Sequence, residues 1–208
     1  FIVKFSNKEG TDLRNFIEVH SDKEISSAYN LKIEKAAQVK NDFKDIIGEY
    51  TKLSYRPFDT RYTLYSPNST GVWFRPKYEV MKHLVKVNLA LLTCRQQTSF
   101  DFQHVFIANT IVERCAVSLQ TGEVTYAFPI YTYLEDSSKL SNLKKEIVDE
   151  IEKNIGDVTP EDIFDYIYAV LHSPNYREKY KEFLKIDFPR VPYPKDKKQF
   201  EGLVALGR

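Results

Sequence analysis

The helix caps and prolines between Thr159 and Pro194 constrain the fold of this chain more than any other feature. Thr159 stands before Pro160 and the acidic pair Glu161-Asp162. This order is typical of a helix N-terminus, because a threonine hydroxyl caps free amides, proline needs no amide partner and acidic groups suit the positive end of the helix dipole. A helix is therefore predicted to begin here, and its apolar face follows at Ile163, Ile167, Val170 and Leu171.

The same start signal recurs at Ser173-Pro174. Residues at helical spacing follow it, so we expect a second helix and a helical hairpin, with Tyr176, Tyr180, Phe183 and Leu184 on the apolar face. Three X-Pro steps then end the pattern, at Phe188-Pro189, Val191-Pro192 and Tyr193-Pro194. Proline disrupts helix interiors and regular strand pairing. This stretch is therefore predicted to be an extended strap lying along folded structure.

Upstream of the hairpin, the apolar pattern predicts strands with a short helix between them. A turn over residues 66–71 should join two strands, around Tyr62 and Leu64 before it and residues 72–74 after it. Arg75-Pro76 then opens a short helix, whose buried side is expected to hold Tyr78, Val80, Met81 and Leu84. Further strands are predicted at residues 87–93, 105–108, 115–118 and 126–134, the first of them covered on both faces. Residues 137–155 are expected to be an exposed helix or a mobile insertion.

Together these elements predict an α+β fold with a mixed β-sheet core, flanking helices and a C-terminal helical hairpin. We expect three segments: a partly helical N-terminal connector over residues 1–50, a mixed-sheet core over 51–135, and a helical segment with its proline-rich strap over 136–208. With 208 residues, 42% of them hydrophobic, the chain has enough apolar material to bury a core.

The composition predicts a soluble, cytoplasmic protein. No apolar run approaches the roughly 18 residues that span a bilayer. The two cysteines, Cys94 and Cys115, lie far apart without a partner motif, which suits a reducing compartment. The first residue is Phe1 rather than Met, so we expect the chain to begin inside a longer polypeptide.

Three sequence blocks resemble one known family. Residues 162–190 (DIFDYIYAVLHSPNYREKYKEFLKIDFPR), 55–61 (YRPFDTR) and 75–81 (RPKYEVM) are similar to the C-terminal specificity domain of type ISP (type I single-polypeptide) restriction-modification enzymes. The resemblance implies a target recognition domain, whose partners are double-stranded DNA and the methyltransferase domain of the same polypeptide. It also implies a parent enzyme that combines N6-adenine DNA methylation, ATP-driven translocation and DNA cleavage, using S-adenosylmethionine, ATP and Mg²⁺.

Long polar side chains directly after the predicted buried strand are the candidates for reading bases. Arg95, Gln96 and Gln97 lie within the stretch TCRQQTS over residues 93–99. Arginine can pair with both major-groove acceptors of guanine, and glutamine with the donor and acceptor of adenine. The alternative interpretation is a solvated turn. The family resemblance assigns no base-reading residue, because such positions are expected to differ with the target sequence.

Basic residues upstream are the candidates for contacts with phosphate. Residues 52–114 carry nine Lys and Arg against four Asp and Glu, a local charge of +5 in a chain of net charge +1. Arg56 and Arg61 bracket Asp59, so we expect one guanidinium to pair with it while the other points outward, unless both form structural ion pairs. Arg75 and Lys77, at the start of the predicted short helix, suit phosphate contact, with simple solubility as the competing explanation.

Catalytic motifs are absent from the sequence. It has no glycine-rich cofactor loop, no Asn/Asp-Pro-Pro-aromatic clamp and no nucleophile elbow, and its four histidines lack the spacing of zinc ligands. We therefore expect no enzymatic activity, cofactor or metal in this chain. The alternative function is a protein-interaction scaffold without direct DNA contact, which a salt-dependent DNA-binding measurement distinguishes from a recognition domain.

Overall fold

The computed structural model describes residues 21–29, 37, 49–65, 67, 76–99, 101–120 and 122–208. Within these residues the strands are β1 Glu49–Arg56, β2 Asp59–Tyr65, β3 Ala90–Cys94, β4 Val105–Ala108, β5 Ile111–Val112, β6 Thr125–Pro129, β7 Tyr131–Tyr133 and β8 Lys139–Ser141. The helices are α1 Asp22–Tyr29, α2 Tyr78–Val85, α3 Lys145–Ile155, α4 Pro160–His172, α5 Pro174–Lys179, α6 Lys181–Leu184 and α7 Lys197–Gly207. This content confirms the predicted α+β class.

The chain divides into two compact units. The first comprises Phe1–Lys86 with Thr110–Glu113, and the second comprises Val87–Asn109 with Arg114–Arg208. Thr110–Glu113 belong to the first unit because they contain strand β5, which pairs in parallel with β1. Residues 51–135 contribute to both units, and the segments 1–50, 51–135 and 136–208 stay a prediction.

A three-stranded sheet organises the first unit, with the strand order β2-β1-β5. Strands β1 and β2 are antiparallel and are joined by the two-residue turn Pro57-Phe58. The predicted partner of β2, residues 72–74, lies outside the described residues, as does most of the predicted connector over 1–50. The observed partner of β2 is β1, the strand that precedes it.

Helix α2 begins after Lys77, whose backbone is left-handed with φ 53°. Leu84 is buried as predicted, whereas Tyr78 and Val80 are exposed. The predicted burial of these two residues is wrong because the buried stripe of this short helix lies in its second turn, at His83 and Leu84.

Two antiparallel sheets form in the second unit, β4-β3-β6 and β7-β8. The central strand β3 is buried at all five positions, which confirms a strand covered on both faces, although it begins at Ala90 rather than at residue 87. The predicted strand at 105–108 coincides with β4. Residues 115–118 form a turn and bends instead of the predicted strand. The predicted strand 126–134 is two strands, β6 and β7, separated at Ile130.

The predicted helix caps are present in the second unit. Asp162 N donates to Thr159 Oγ1 at 3.1 Å and Thr159 N donates to the Asp162 carboxylate at 3.1 Å, so α4 begins with a complete capping box. Ser173 caps α5. The second half of the helical hairpin is divided at Tyr180 into α5 and α6, and the predicted helix over 137–155 begins only at Lys145, after β8.

Residues 188–194 form the predicted extended strap. Two tyrosine hydroxyls hold it, since Tyr166 donates to Pro192 O and Tyr176 donates to Arg190 O, each at 3.0 Å. Both tyrosines are buried. The strap is therefore attached to helices α4 and α5, which confirms the expectation that it lies along folded structure.

Helix α7 follows the strap and was not predicted. Asp196 caps it by accepting a hydrogen bond from Gln199 N at 2.8 Å. Its Phe200 packs against Tyr166 of α4 with ring centroids 5.3 Å apart, and Arg208 forms an ion pair with Asp162 at 2.9 Å. No helix in the described part of the chain combines the length and apolar character needed to cross a membrane.

A close approach between α4 and α7 allows a direct test of their packing. A Cβ at Gly207 would overlap the backbone carbonyl of Asp165, whereas one at Gly202 would meet nothing within 4 Å. We expect Gly207→Ala to lower the free energy of unfolding by roughly 1–3 kcal/mol. The control Gly202→Ala should raise it by about 0.5–1 kcal/mol, because alanine favours helix. Urea unfolding measures both, and equal effects would contradict the packing.

Candidate nucleic-acid interface

The predicted DNA-contacting residues occupy three kinds of local structure: the base of a hairpin, the start of a helix and the end of a buried strand. The residues in the first unit are Arg56, Arg61 and Lys77, and those in the second unit are Arg95, Gln96 and Gln97. Arg75 lies outside the described residues, so its phosphate contact stays a prediction.

Both hairpin arginines are held by carboxylates. Arg61 donates to Asp59 through Nε at 3.1 Å and through Nη2 at 2.8 Å, which agrees with the expected pair. Arg56 forms an ion pair with Glu113 at 2.8 Å, so both arginines are paired with carboxylates, which is the alternative that the sequence left open. The reason is the pairing of β5 with β1, which brings Glu113 next to a residue 57 positions earlier in the chain.

The two guanidinium groups also lie over one aromatic ring. Their centroid distances to Tyr55 are 4.0 Å for Arg56 and 3.8 Å for Arg61. Each arginine side chain is only 25% exposed, and the hydrogen bond from Arg61 holds the pKa of Asp59 below its ordinary value. Two cations are thus offset by two carboxylates, which leaves no surplus positive charge among these four side chains to attract phosphate.

Phe58 forms the tip of this hairpin and is 103% exposed. Its φ is 64°, in the left-handed region. Proline followed by a left-handed residue is typical of a type II turn, whose second central position prefers glycine or asparagine. A non-glycine residue in this conformation costs about 1–2 kcal/mol, and an exposed ring gains no burial to offset that cost.

Lys77 is the described cation of the first unit that best suits phosphate contact. It is exposed, precedes the first turn of α2, and has no carboxylate partner within the described ranges. A cation at such a position can bind a phosphate oxygen without first breaking an ion pair.

Arg95 follows the last residue of β3, and its side chain is 59% exposed. Its Nε donates to Asp187 Oδ1 at 3.0 Å, while Nη1 and Nη2 have no partner among the described residues. Hydrogen bonds from Phe188 N and from Arg95 hold the pKa of Asp187 below its ordinary value. A guanidinium anchored through Nε keeps its two terminal nitrogens for bidentate pairing with guanine.

Gln96 and Gln97 lie in different environments. Gln96 is half-buried, and its amide has no hydrogen-bond partner in the part of the chain that the structure describes. Gln97 is 1% exposed. Its Nε2 donates to Asp101 O at 2.8 Å, and its Oε1 accepts from Gln103 N at 2.9 Å and from His104 N at 3.2 Å. Gln97 therefore supports the loop after β3, and the predicted contact of Gln97 with DNA would require these hydrogen bonds to break.

Glu123 is a buried carboxylate, 2% exposed, that holds the same loop. Its Oε1 accepts from Thr98 N at 3.0 Å, Ser99 N at 3.1 Å and Ser99 Oγ at 2.9 Å, and its Oε2 accepts from Ser118 Oγ at 2.8 Å. Burial raises the pKa of Glu123, but these hydrogen bonds outweigh burial and hold the pKa below its ordinary value. The ionised carboxylate thus connects the loop after β3 to the turn before β6.

Cys94, His104 and Glu123 bring one potential metal ligand each to within 4.8 Å of one another. Burial raises the pKa of the Cys94 thiol to about 12 and lowers the pKa of His104, so both groups are neutral at pH 7. The Glu123 oxygens already accept four hydrogen bonds. We therefore assign Glu123 to support of the loop, because a metal would have to compete with the hydrogen bonds that Glu123 accepts. The buried Nδ1 of His104 has no hydrogen-bond partner among the described residues.

Two residues of this site, Asp187 and Glu123, were not predicted. Asp187 lies 92 positions from Arg95, and Glu123 lies 25 positions from Thr98. No short-range pattern marks either carboxylate, because each acquires its role only when the β4-β3-β6 sheet brings distant segments together.

One family model matches almost the whole chain. The model of the Type ISP C-terminal specificity domain matches residues 2–208, which confirms the resemblance read from three sequence blocks. No curated protein sequence matches the chain.

Two solved structures share the fold. One is the cryoEM structure of a DrdV–DNA complex, with a TM-score of 0.65 and 22% identity, covering 95% of this chain and 19% of that one. The other is the ATP-dependent Type ISP restriction-modification enzyme LlaBIII bound to DNA, with a TM-score of 0.64 and 20% identity, covering 97% of this chain and 14% of that one. This chain therefore spans less than a fifth of the length of either protein.

Glu123→Gln tests the buried carboxylate. The variant keeps the side-chain size but places an NH₂ group where an oxygen accepts hydrogen bonds, so we expect the free energy of unfolding at pH 7 to fall by roughly 2–3 kcal/mol. Because the folded pKa is below the ordinary value of 4.5, the carboxylate stabilises the fold above that pH and loses this effect as the pH falls through the folded pKa. Urea unfolding at pH 7 and under acid measures the difference, which should shrink under acid.

The matched control is Glu135→Gln at an exposed position, which should change the free energy of unfolding by less than about 0.5 kcal/mol. Equal losses for the two substitutions would contradict the assigned role. So would a loss for Glu123→Gln that does not depend on pH.

Proposed function

The chain belongs to the Type ISP C-terminal specificity domain family, and from this premise we propose that it recognises the DNA target sequence of a restriction-modification enzyme. One observation carries the proposal: Arg95 is exposed at the end of the fully buried strand β3 and is anchored through Nε by Asp187. Reading a base edge requires a side chain whose position is fixed while its donors remain available.

The surroundings of Arg95 and Gln96 supply that fixed position. Strand β3 is paired on both sides, with β4 and β6, and Gln97 N donates to Leu184 O of α6 at 3.3 Å. With the backbone restrained, Arg95 suits the two acceptors of guanine and Gln96 suits the donor and acceptor of adenine. Each correct bidentate pair contributes about 1–3 kcal/mol of discrimination against the wrong base.

Phosphate contact is assigned to Lys77, with Arg75 retained as a prediction. Arg56 and Arg61 are removed from this role, because each would have to leave a carboxylate before it could bind a phosphate oxygen. Such contacts position a protein on duplex DNA without selecting a sequence, which separates the role of Lys77 from that of Arg95.

The remaining activities belong, in this proposal, to the longer polypeptide. It would carry an N6-adenine methyltransferase domain as the neighbour of this chain, together with a translocase and a nuclease, and would use S-adenosylmethionine, ATP and Mg²⁺ in the cytoplasm. This chain itself would catalyse nothing. Support comes from the two proteins that share its fold, since it covers only 19% and 14% of their lengths and one of them is an ATP-dependent restriction-modification enzyme.

A scaffold without DNA contact is the second candidate function. The paired state of Arg56 and Arg61 favours it, because two predicted phosphate contacts are occupied within the first unit. Salt separates the two functions: counterion release makes the logarithm of DNA affinity fall linearly with the logarithm of salt concentration. A protein that only contacts other domains would show no such dependence.

Arg95→Ala and Gln96→Ala test the reading role. We expect each variant to fold normally and to select, from a random library of DNA duplexes, a consensus that is relaxed at one base pair by about tenfold or more. Lys77→Ala should instead leave the consensus unchanged and reduce the slope of log affinity against log salt by about 1. Sequencing of the bound duplexes and salt titrations measure these effects.

Asp187→Asn is the matched variant that keeps Arg95 but weakens its anchor, and its consensus should be relaxed at the same base pair as that of Arg95→Ala, to a smaller extent. An unchanged consensus in Arg95→Ala and Gln96→Ala would remove the reading role from these residues. Salt-independent binding, or no binding, by the unmodified chain would favour the scaffold.

A further inference from the structure

We propose that the hairpin tip at Phe58 docks into an apolar pocket on a neighbouring domain of the same polypeptide. This inference rests on the proposed function, in which the chain is one part of a longer enzyme. Phe58 combines complete exposure with a left-handed φ of 64°. Glycine would adopt this turn without strain, and the ring is not buried against the described residues of its unit, so their packing gives no reason for phenylalanine at this position.

Several contacts stabilise the base of the hairpin. Arg56 pairs with Glu113 at 2.8 Å and Arg61 pairs with Asp59 at 2.8 Å, and both lie over the ring of Tyr55. Ser54 Oγ also lies within hydrogen-bond distance, 2.8 Å, of Thr110 Oγ1 next to β5. An element that is fixed before binding loses little conformational entropy when it docks.

The charges at the base of the hairpin indicate which kind of partner the Phe58 ring would contact. The two arginines are offset by two carboxylates, so these four side chains provide no net attraction for phosphate, the group that dominates DNA affinity. An exposed aromatic ring above a neutral base instead suits a desolvated pocket of apolar and aromatic side chains with room for one ring. These observations favour a protein partner over a DNA base step.

A neighbouring domain is the natural source of that pocket. In the two proteins that share the fold, the part similar to this chain occupies 19% and 14% of the polypeptide, so most of each chain lies outside it. A contact within one polypeptide needs only a small apolar surface, because the linked partner is present at high effective concentration.

Hydrogen exchange without DNA tests the docking. It compares the 208-residue chain with the full-length polypeptide that contains it. We expect the amides of residues 55–61 to exchange about tenfold more slowly, or slower still, in the full-length polypeptide, and we expect Phe58→Ala to abolish this protection. Val87→Ala is the control, since it shortens an equally exposed apolar side chain in the other unit and should leave the protection intact.

A second measurement distinguishes the effect of the Phe58 ring on docking from its effect on the stability of the fold. In the 208-residue chain, Phe58→Gly should raise Tm by about 2–4 °C, because it relieves the left-handed strain and removes no contact. In the full-length polypeptide the same substitution should abolish the protection of residues 55–61. A higher Tm in the 208-residue chain together with lost protection in the full-length polypeptide is expected only if the ring contacts another domain.

Equal exchange of residues 55–61 in the two forms would overturn the docking. A loss of DNA affinity by Phe58→Ala in the 208-residue chain, of about tenfold, would assign the ring to DNA and also overturn it. A chain that binds no DNA while its hairpin tip is protected in the full-length polypeptide would overturn the proposed function alone, because the exchange measurement contains no DNA.

Discussion

The proline strap cannot satisfy its own backbone, and this constraint organises the second unit. Residues 188–194 contain three prolines and form neither helix nor strand, so their carbonyls are bonded by water or by other elements. The hydroxyls of Tyr166 and Tyr176 bind two of these carbonyls, at Pro192 and Arg190. Because these tyrosines are buried on α4 and α5, the strap is attached at two points to the helical hairpin, and its course along the unit is fixed.

The start of the strap lies next to a residue proposed to read bases. Phe188, at the start of the strap, places its ring edge-on to Tyr126 and Phe128 of β6, with centroid distances of 4.9 Å and 5.8 Å. Asp187, one residue earlier, anchors Arg95 at the end of the neighbouring strand β3. The C-terminal segment thus orients the side chain on which the proposed recognition depends.

Sequence reasoning succeeded where the chemistry is local. The caps at Thr159 and Ser173, the strap and the end of α3 at Gly156, whose φ is 92°, each depend on a few consecutive residues. It failed where the deciding contact is distant. Helix α7 was missed because only two of its residues, Phe200 and Val204, are buried, too few to give a periodic pattern. The pairing of Arg56 with Glu113 depends on the two-residue parallel contact of β5 with β1, which no local pattern marks.

At the end of β3 and in the loop that follows, the residues proposed to contact DNA differ in burial from the residues that support the loop. Cys94 and Gln97 are buried, whereas Arg95 and Gln96 between them are exposed and half-buried. The hydrogen bonds of Gln97 and Glu123 shape the loop from inside and do not involve the side chains at positions 95 and 96. In the proposed function, the side chains at positions 95 and 96 can therefore vary with the DNA target, while Gln97 and Glu123 maintain the shape of the loop.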